Sequence, residues 1–192
     1  MIKLNFKNSH ITLPALCVAA FVAAAVPAAD ATYMIAKASL AQTLIQRSWL
    51  DTGKAPWPWA DTMPVARLVI PRLSVDSFVL AGAAGESLAF GPGMVNGSSV
   101  PGQPGVTMIA AHRDTHFKPL QNIKAHDLIS IQGRDRQWHQ YRVTSIGIAD
   151  SRSESITTQP DDSRMVLVTC YPFDALTAGG PLRFVVEAIL ES

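Results

Sequence analysis

Short β-branched or alternating apolar runs occur at Val65 to Ile70, Ser77 to Ala81, Val106 to Ala111, Asp127 to Gln132, Trp138 to Ala149, Arg164 to Cys170 and Leu182 to Leu190. Gly and Pro clusters separate most of them, the punctuation of strands joined by turns. In the last run Leu182, Phe184, Val186, Ala188 and Leu190 fall on one face, which predicts a core side, with Arg183, Val185 and Glu187 on the other. Glu86 to Phe90 and Lys118 to Ile123 each fit one or two helical turns. Seven or eight strands in the C-terminal two-thirds predict an all-β domain, either a closed barrel or a sandwich.

The N-terminal third follows a different pattern. Ile11 to Ala29 contains no Asp, Glu, Lys or Arg. As a helix it is about 28 Å long at roughly 1.5 Å per residue, close to the roughly 30 Å hydrocarbon core of a bilayer. An uncleaved transmembrane anchor is the expectation, since Pro27 sits close to any cut and a helix-compatible segment continues after Asp30. A cleaved signal peptide ending at the small residues Ala29 and Ala31 is the alternative. The segment from Asp51 to Pro64 is a linker by its Gly53, Pro56, Pro58 and Pro64. Trp57 and Trp59 predict that this linker lies against the domain.

Lys and Arg number 16 against 15 Asp and Glu, a formal charge of +1. That balance offers no broad attraction to a phosphate backbone, so nucleic-acid binding is excluded as a first reading. At 192 residues and 48% hydrophobic composition the chain can bury a core without a disulfide framework. Of its two cysteines, Cys17 lies in the apolar N-terminal run, which leaves Cys170 unpaired at the end of a predicted strand. An odd thiol in an exported domain is either buried and inert or reactive, and a reactive one needs a base and an oxyanion stabiliser. Four histidines cluster at 112, 116, 126 and 139, and His112 directly follows the run ending at Ala111. His112 and His116 have the spacing of two zinc ligands on a helix, but Arg113 stands where a zinc protease carries Glu and the local pattern is strand then turn. No metal and no cofactor are expected. His126 and His139 read as solvated or packed.

Three separated motifs carry a resemblance. Ala-His112-Arg113-Asp114-Thr115, then Val166-Leu167-Val168-Thr169-Cys170 about sixty residues on, then Arg183-Phe184-Val185-Val186, resemble the sortases in order, spacing and strand context. The likeness covers about residues 60 to 190. The pieces PWPWADTMPVARL, LAFGPG, HRDTHF, TCYPFDA and GGPLRFVV are most similar to sortases of Gram-negative bacteria. Two positions depart from the pattern: Ala111 stands where Gly is common, and Val166 where Thr often opens the TLxTC motif. The resemblance implies a closed eight-stranded β-barrel with one or two short helices behind an N-terminal transmembrane helix. It implies a cysteine transpeptidase with Cys170 as nucleophile, His112 as general acid and base, and Arg183 on the substrate carbonyl or its oxyanion. Val168 and Thr169 are candidate substrate contacts.

Implied partners are a target protein with an LPxTG-like C-terminal sorting signal, an amine acceptor and the inner membrane, with the catalytic domain in the periplasm. The chain then divides into a cytoplasmic head at 1–10, an anchor or signal peptide at 11–29, a juxtamembrane helix and linker at 30–63 and a catalytic domain at 64–192. Two readings compete with it. A thiol hydrolase that uses only water would share all three residues, and a non-catalytic barrel on a membrane stalk would leave the thiol inert.

Overall fold

The structure is a computed structural model that describes residues 40–51, 54–85, 87–156, 163–175, 177 and 179–191. The apolar run from Ile11 to Ala29 lies outside the described residues. Among those described, no helix is long and apolar enough to cross a membrane. The chain falls into two units, 1–40 and 41–192. The second begins with helix α1, helical through residues 41–50, so this helix and the linker after it belong to the same unit as the strands.

Eight strands close into a barrel in the order β1-β2-β3-β4-β7-β8-β6-β5. They are β1 (Pro64–Ile70), β2 (Val75–Ala81), β3 (Gly93–Met94), β4 (Gly105–Ala110), β5 (Leu128–Gln132), β6 (Trp138–Asp150), β7 (Ser163–Cys170) and β8 (Leu182–Leu190). Seven of them fall within two residues of the runs read from the sequence, and the closed barrel, not the sandwich, is the architecture. Closure removes the unpaired edges that an open sheet of this size would expose. Helix α2 (Ser87–Phe90) and a 3₁₀ segment at Lys118–Asn122 occupy the two predicted helical turns.

Two elements were not legible. A 3₁₀ turn at Pro71–Leu73 links β1 to β2, ending at Ser74 with φ 54°. The two-residue β3 lies in a Gly-Pro-rich stretch that reads as loop. Gly93 is required there by close approach, since a Cβ would sit 2.2 Å from the Gly82 carbonyl oxygen.

The core is the inward face of the alternating strands: Ala66, Leu68 and Ile70 of β1, Ile129 and Ile131 of β5, Met165 and Leu167 of β7, Val186 and Ala188 of β8, with Phe117 and Leu120 from the β4–β5 connection. Phe184 and Leu190 pack against it as the alternation predicts. Leu182 does not: it is 36% exposed, at the very start of β8. A register shift in β6 between Val143 and Ser145 changes which side chains face inward. Helix α1 buries Ala41, Ile45 and Trp49, and Trp49 meets Phe78 of β2 at 6.1 Å between ring centroids. Arg136 lies 4.5 Å over the Trp49 ring and donates to the Trp49 and Leu50 carbonyls, orphan acceptors at the helix C-terminus. Of the two linker tryptophans, Trp57 packs edge-on against Phe90 at 5.3 Å, but Trp59 is 82% exposed, so only the first holds the linker to the domain.

Candidate active site

The site is built at the end of the barrel where β4 and β7 finish. These strands run parallel, in a register that pairs Ala110 with Val168, and the pairing continues past β4 through the Ala111 N–H, which donates to the Val168 carbonyl at 3.2 Å. Extending that register by two residues sets His112 beside Cys170. Strand β8 returns antiparallel on the other side of β7, and its register places Arg183 directly across from Cys170. Three residues separated by up to 71 positions thus share three adjacent strand ends.

Alternation decides which way each side chain faces. Ala111 is in the core, His112 is exposed, and Arg113 is buried again. In β7, Met165 and Leu167 face the core, so Val168's neighbour Cys170 shares the outward side with Val168. The Cys170 thiol is free and half-buried. Arg183 is half-buried too, and its Nη1 donates to the Gly180 carbonyl at 2.8 Å and to the Leu182 carbonyl at 2.9 Å. A groove of about 530 Å³ starts at Arg183 and runs along the outer face, floored by Met108, Val168 and Val185. At its far side Arg164 and Glu187 pair at 3.4 Å. Of the three residues at the strand ends, Arg183 lines this groove, while Cys170 and His112 are not among its lining residues.

Val168 lines this groove and Thr169 does not. Thr169 is 3% exposed, and its hydroxyl donates to the Ala111 carbonyl at 2.7 Å. Its place is structural, because alternation turns it toward the interior while Val168 and Cys170 face out. His116 lies close enough to His112 for their charges to interact. Burial pushes its pKa below the ordinary value; hydrogen bonding with the Ala89 backbone opposes this, and the charge of His112 reinforces it. His126 is exposed at a turn with φ 69°, and His139 is half-buried in β6. Among the described residues no group of three His, Cys, Asp or Glu side chains could hold a metal ion. Asp150, whose carboxyl is held down to about 2 mainly by its bonds to Arg152, adds a weak attraction toward Arg183.

A model of the sortase domain matches residues 68–191, most of the barrel and all three of these positions. The chain belongs to the sortase family. Sortase D of Bacillus subtilis (strain 168) is 26% identical over 120 residues, covering 62% of this chain and 60% of that protein, so the chain spans about three-fifths of that curated relative's length. Among solved structures, the Clostridium perfringens Sortase D5 transpeptidase is similar with a TM-score of 0.64 at 20% identity, covering 80% of this chain and 99% of that one. Sortase A from Corynebacterium diphtheriae gives 0.63 at 24%, covering 70% and 63%. Listeria monocytogenes sortase A gives 0.59 at 26%, covering 67% and 88%. The first two likenesses bear on the fold alone.

One residue of this sortase escaped the sequence reading. Arg113 is 8% exposed, and its Nη2 donates to the Ala175 carbonyl at 3.1 Å and the Thr177 carbonyl at 2.6 Å, in the connection between Cys170 and Arg183. The signal was present: a strand ending in Ala111 with His112 outward turns the next side chain inward, and an arginine there must find carbonyls or carboxylates.

Proposed function

We propose that this sortase is a membrane-anchored cysteine transpeptidase that cleaves an LPxTG-like sorting signal near a target protein's C-terminus and transfers the acyl fragment to an amine. The observation that supports the reading best is the strand register, which pairs Arg183 with Cys170 and runs β4, ending just before His112, parallel to β7. The thiol gives its proton to His112, and the thiolate adds to the carbonyl carbon before the scissile bond. The resulting oxyanion is met by the fixed donors of Arg183. As the C–N bond breaks, His112 returns the proton to the leaving amine and a thioester remains on Cys170. An acceptor amine then attacks that thioester, His112 taking its proton and the thiolate leaving. The groove floored by Met108, Val168 and Val185 would hold the sorting peptide.

The apolar run Ile11 to Ala29 supports an inner-membrane anchor with the barrel in the periplasm, and the segments around Trp57, His112 and Cys170 support the Gram-negative subgroup. Alkaline carbonate extraction tests the anchor: a shortened, freely soluble periplasmic form would instead make the run a signal peptide. For the chemistry, the full-length protein is incubated with an LPxTG-containing peptide and an added amine, and products are followed by mass spectrometry. Wild type should give an acyl-enzyme and an amine-capped product, while Cys170→Ala should give neither and keep the fold. Cleavage by the alanine variant would sink the mechanism, and water as the sole acceptor would make the enzyme a hydrolase.

A further inference from the structure

The pair His112 and Cys170 is fastened on both sides. On the N-terminal side of each residue, Thr169 Oγ1 donates to the Ala111 carbonyl and the Ala111 N–H to the Val168 carbonyl. On the C-terminal side, Arg113 reaches across to the Ala175 and Thr177 carbonyls. Phe173 holds the start of this connection against Phe184 and the core, and Ser151 bonds the Pro181 carbonyl at its end, so Arg113 grips the stretch between them. Most of its described residues are exposed, and Gly179 and Gly180 sit at φ 95° and 86°, where the backbone is freest. The same stretch also holds Arg183 through the Gly180 carbonyl.

We infer that Arg113 is a positioning residue of the transpeptidase, its guanidinium locking the connection after Cys170 to the turn that carries His112, so that thiol, imidazole and Arg183 keep one spacing. The inference rests on the proposed function. Its chemistry is specific to arginine. Nη2 supplies two donors to two carbonyls from a buried position, whereas a lysine nitrogen would end one bond short of that atom. Proton transfer between Cys170 and His112 requires hydrogen-bond reach, and a displacement of about 1 Å can cost about a hundredfold in rate. Arg113 touches no reacting atom, so its effect must pass through that distance.

The test compares full-length wild type, Arg113→Ala, Arg113→Lys and His112→Ala for steady-state cleavage of an LPxTG-containing peptide, and for iodoacetamide alkylation of Cys170 across pH. With Arg113→Ala, kcat should fall about tenfold to a hundredfold while KM stays within about twofold. Its alkylation profile should move from that of wild type toward that of His112→Ala, and Arg113→Lys should lie between them. A folded Arg113→Ala protein with wild-type kcat and profile overturns the inference, even if its melting temperature drops, because a purely structural brace would do that. A change confined to KM overturns it equally. Should circular dichroism show Arg113→Ala unfolded, Arg113→Lys carries the same criteria. Cleavage retained in a parallel Cys170→Ala sample would instead remove the reading on which the inference stands.

Discussion

Arg183 commits one terminal nitrogen before any substrate arrives. Its Nη1 serves the Gly180 and Leu182 carbonyls, and in the proposed function the remaining donors of the planar fork would meet the substrate oxygen. Lysine keeps the charge but offers one nitrogen for both tasks. Arg183→Lys should therefore be nearly as impaired as Arg183→Ala, by about 10² to 10³ in turnover, the usual loss for one oxyanion donor. Full activity in the lysine variant would mean that charge alone matters, and full activity in the alanine variant would remove Arg183 from the chemistry. His116 carries a separate expectation. Its folded pKa lies below the ordinary 6.5 because burial disfavours the charged ring. The unfolded chain then binds more protons between the two values, so stability is fully present above 6.5, falls as pH drops through that window and reaches its full loss below the folded value. The urea midpoint should drop more between pH 7.5 and 5.5 in wild type than in His116→Asn, whose amide can still bond the Ala89 backbone. Equal drops would show that His116 is not the group responsible.

At the scale of elements, the local pattern of each strand was readable and the pairing between strands was not. The β8 alternation that sent Val186 and Ala188 inward and Arg183 outward follows from period two alone. Nothing in a run of apolar residues says whether β4 and β7 lie parallel. Yet that choice puts both C-terminal ends, and so His112 and Cys170, on one end of the barrel. The sortase motifs bridged this gap, since they carry the pairing implicitly. They did not reveal Thr169's task, because a Thr beside a nucleophile reads as a substrate contact until the register shows it facing the interior. Thr169→Val keeps the shape and leaves the Ala111 carbonyl without its donor. The expected cost is about 1 to 3 kcal/mol in urea unfolding, the penalty for a buried acceptor left unmade, together with slower acylation as the β4 end loosens. Wild-type stability in that variant would mean that the carbonyl finds another partner.

For the molecule as a whole, the extent of the folding unit differs from what strand patterns suggest. Alternation begins at Pro64, but the unit containing the barrel begins at Ala41. Ile45 is 1% exposed and Trp49 6%. Burying two such side chains contributes about 3 to 6 kcal/mol at 1.5 to 3 each, an upper figure because the unfolded chain already hides part of them. The stacking of Arg136 on Trp49 and its bonds to the last carbonyls of α1 add to this. Set against a typical total stability of about 5 to 15 kcal/mol, that is a large share. Helix α1 also reaches α2, since Gln42 Nε2 donates to the Phe90 carbonyl, and the Ala89 backbone beside it bonds His116. A chain truncated to begin at Pro64 should therefore unfold at a clearly lower urea concentration than one beginning at Ala41, or fail to fold, and should expose Phe78 to solvent. Replacing Trp49 with Ala in the longer chain should reproduce about half or more of that loss, since it removes the ring that both Phe78 and Arg136 contact. Equal midpoints for the two truncated chains would show that α1 rests on the barrel without stabilising it, and would return the boundary of the folding unit to Pro64.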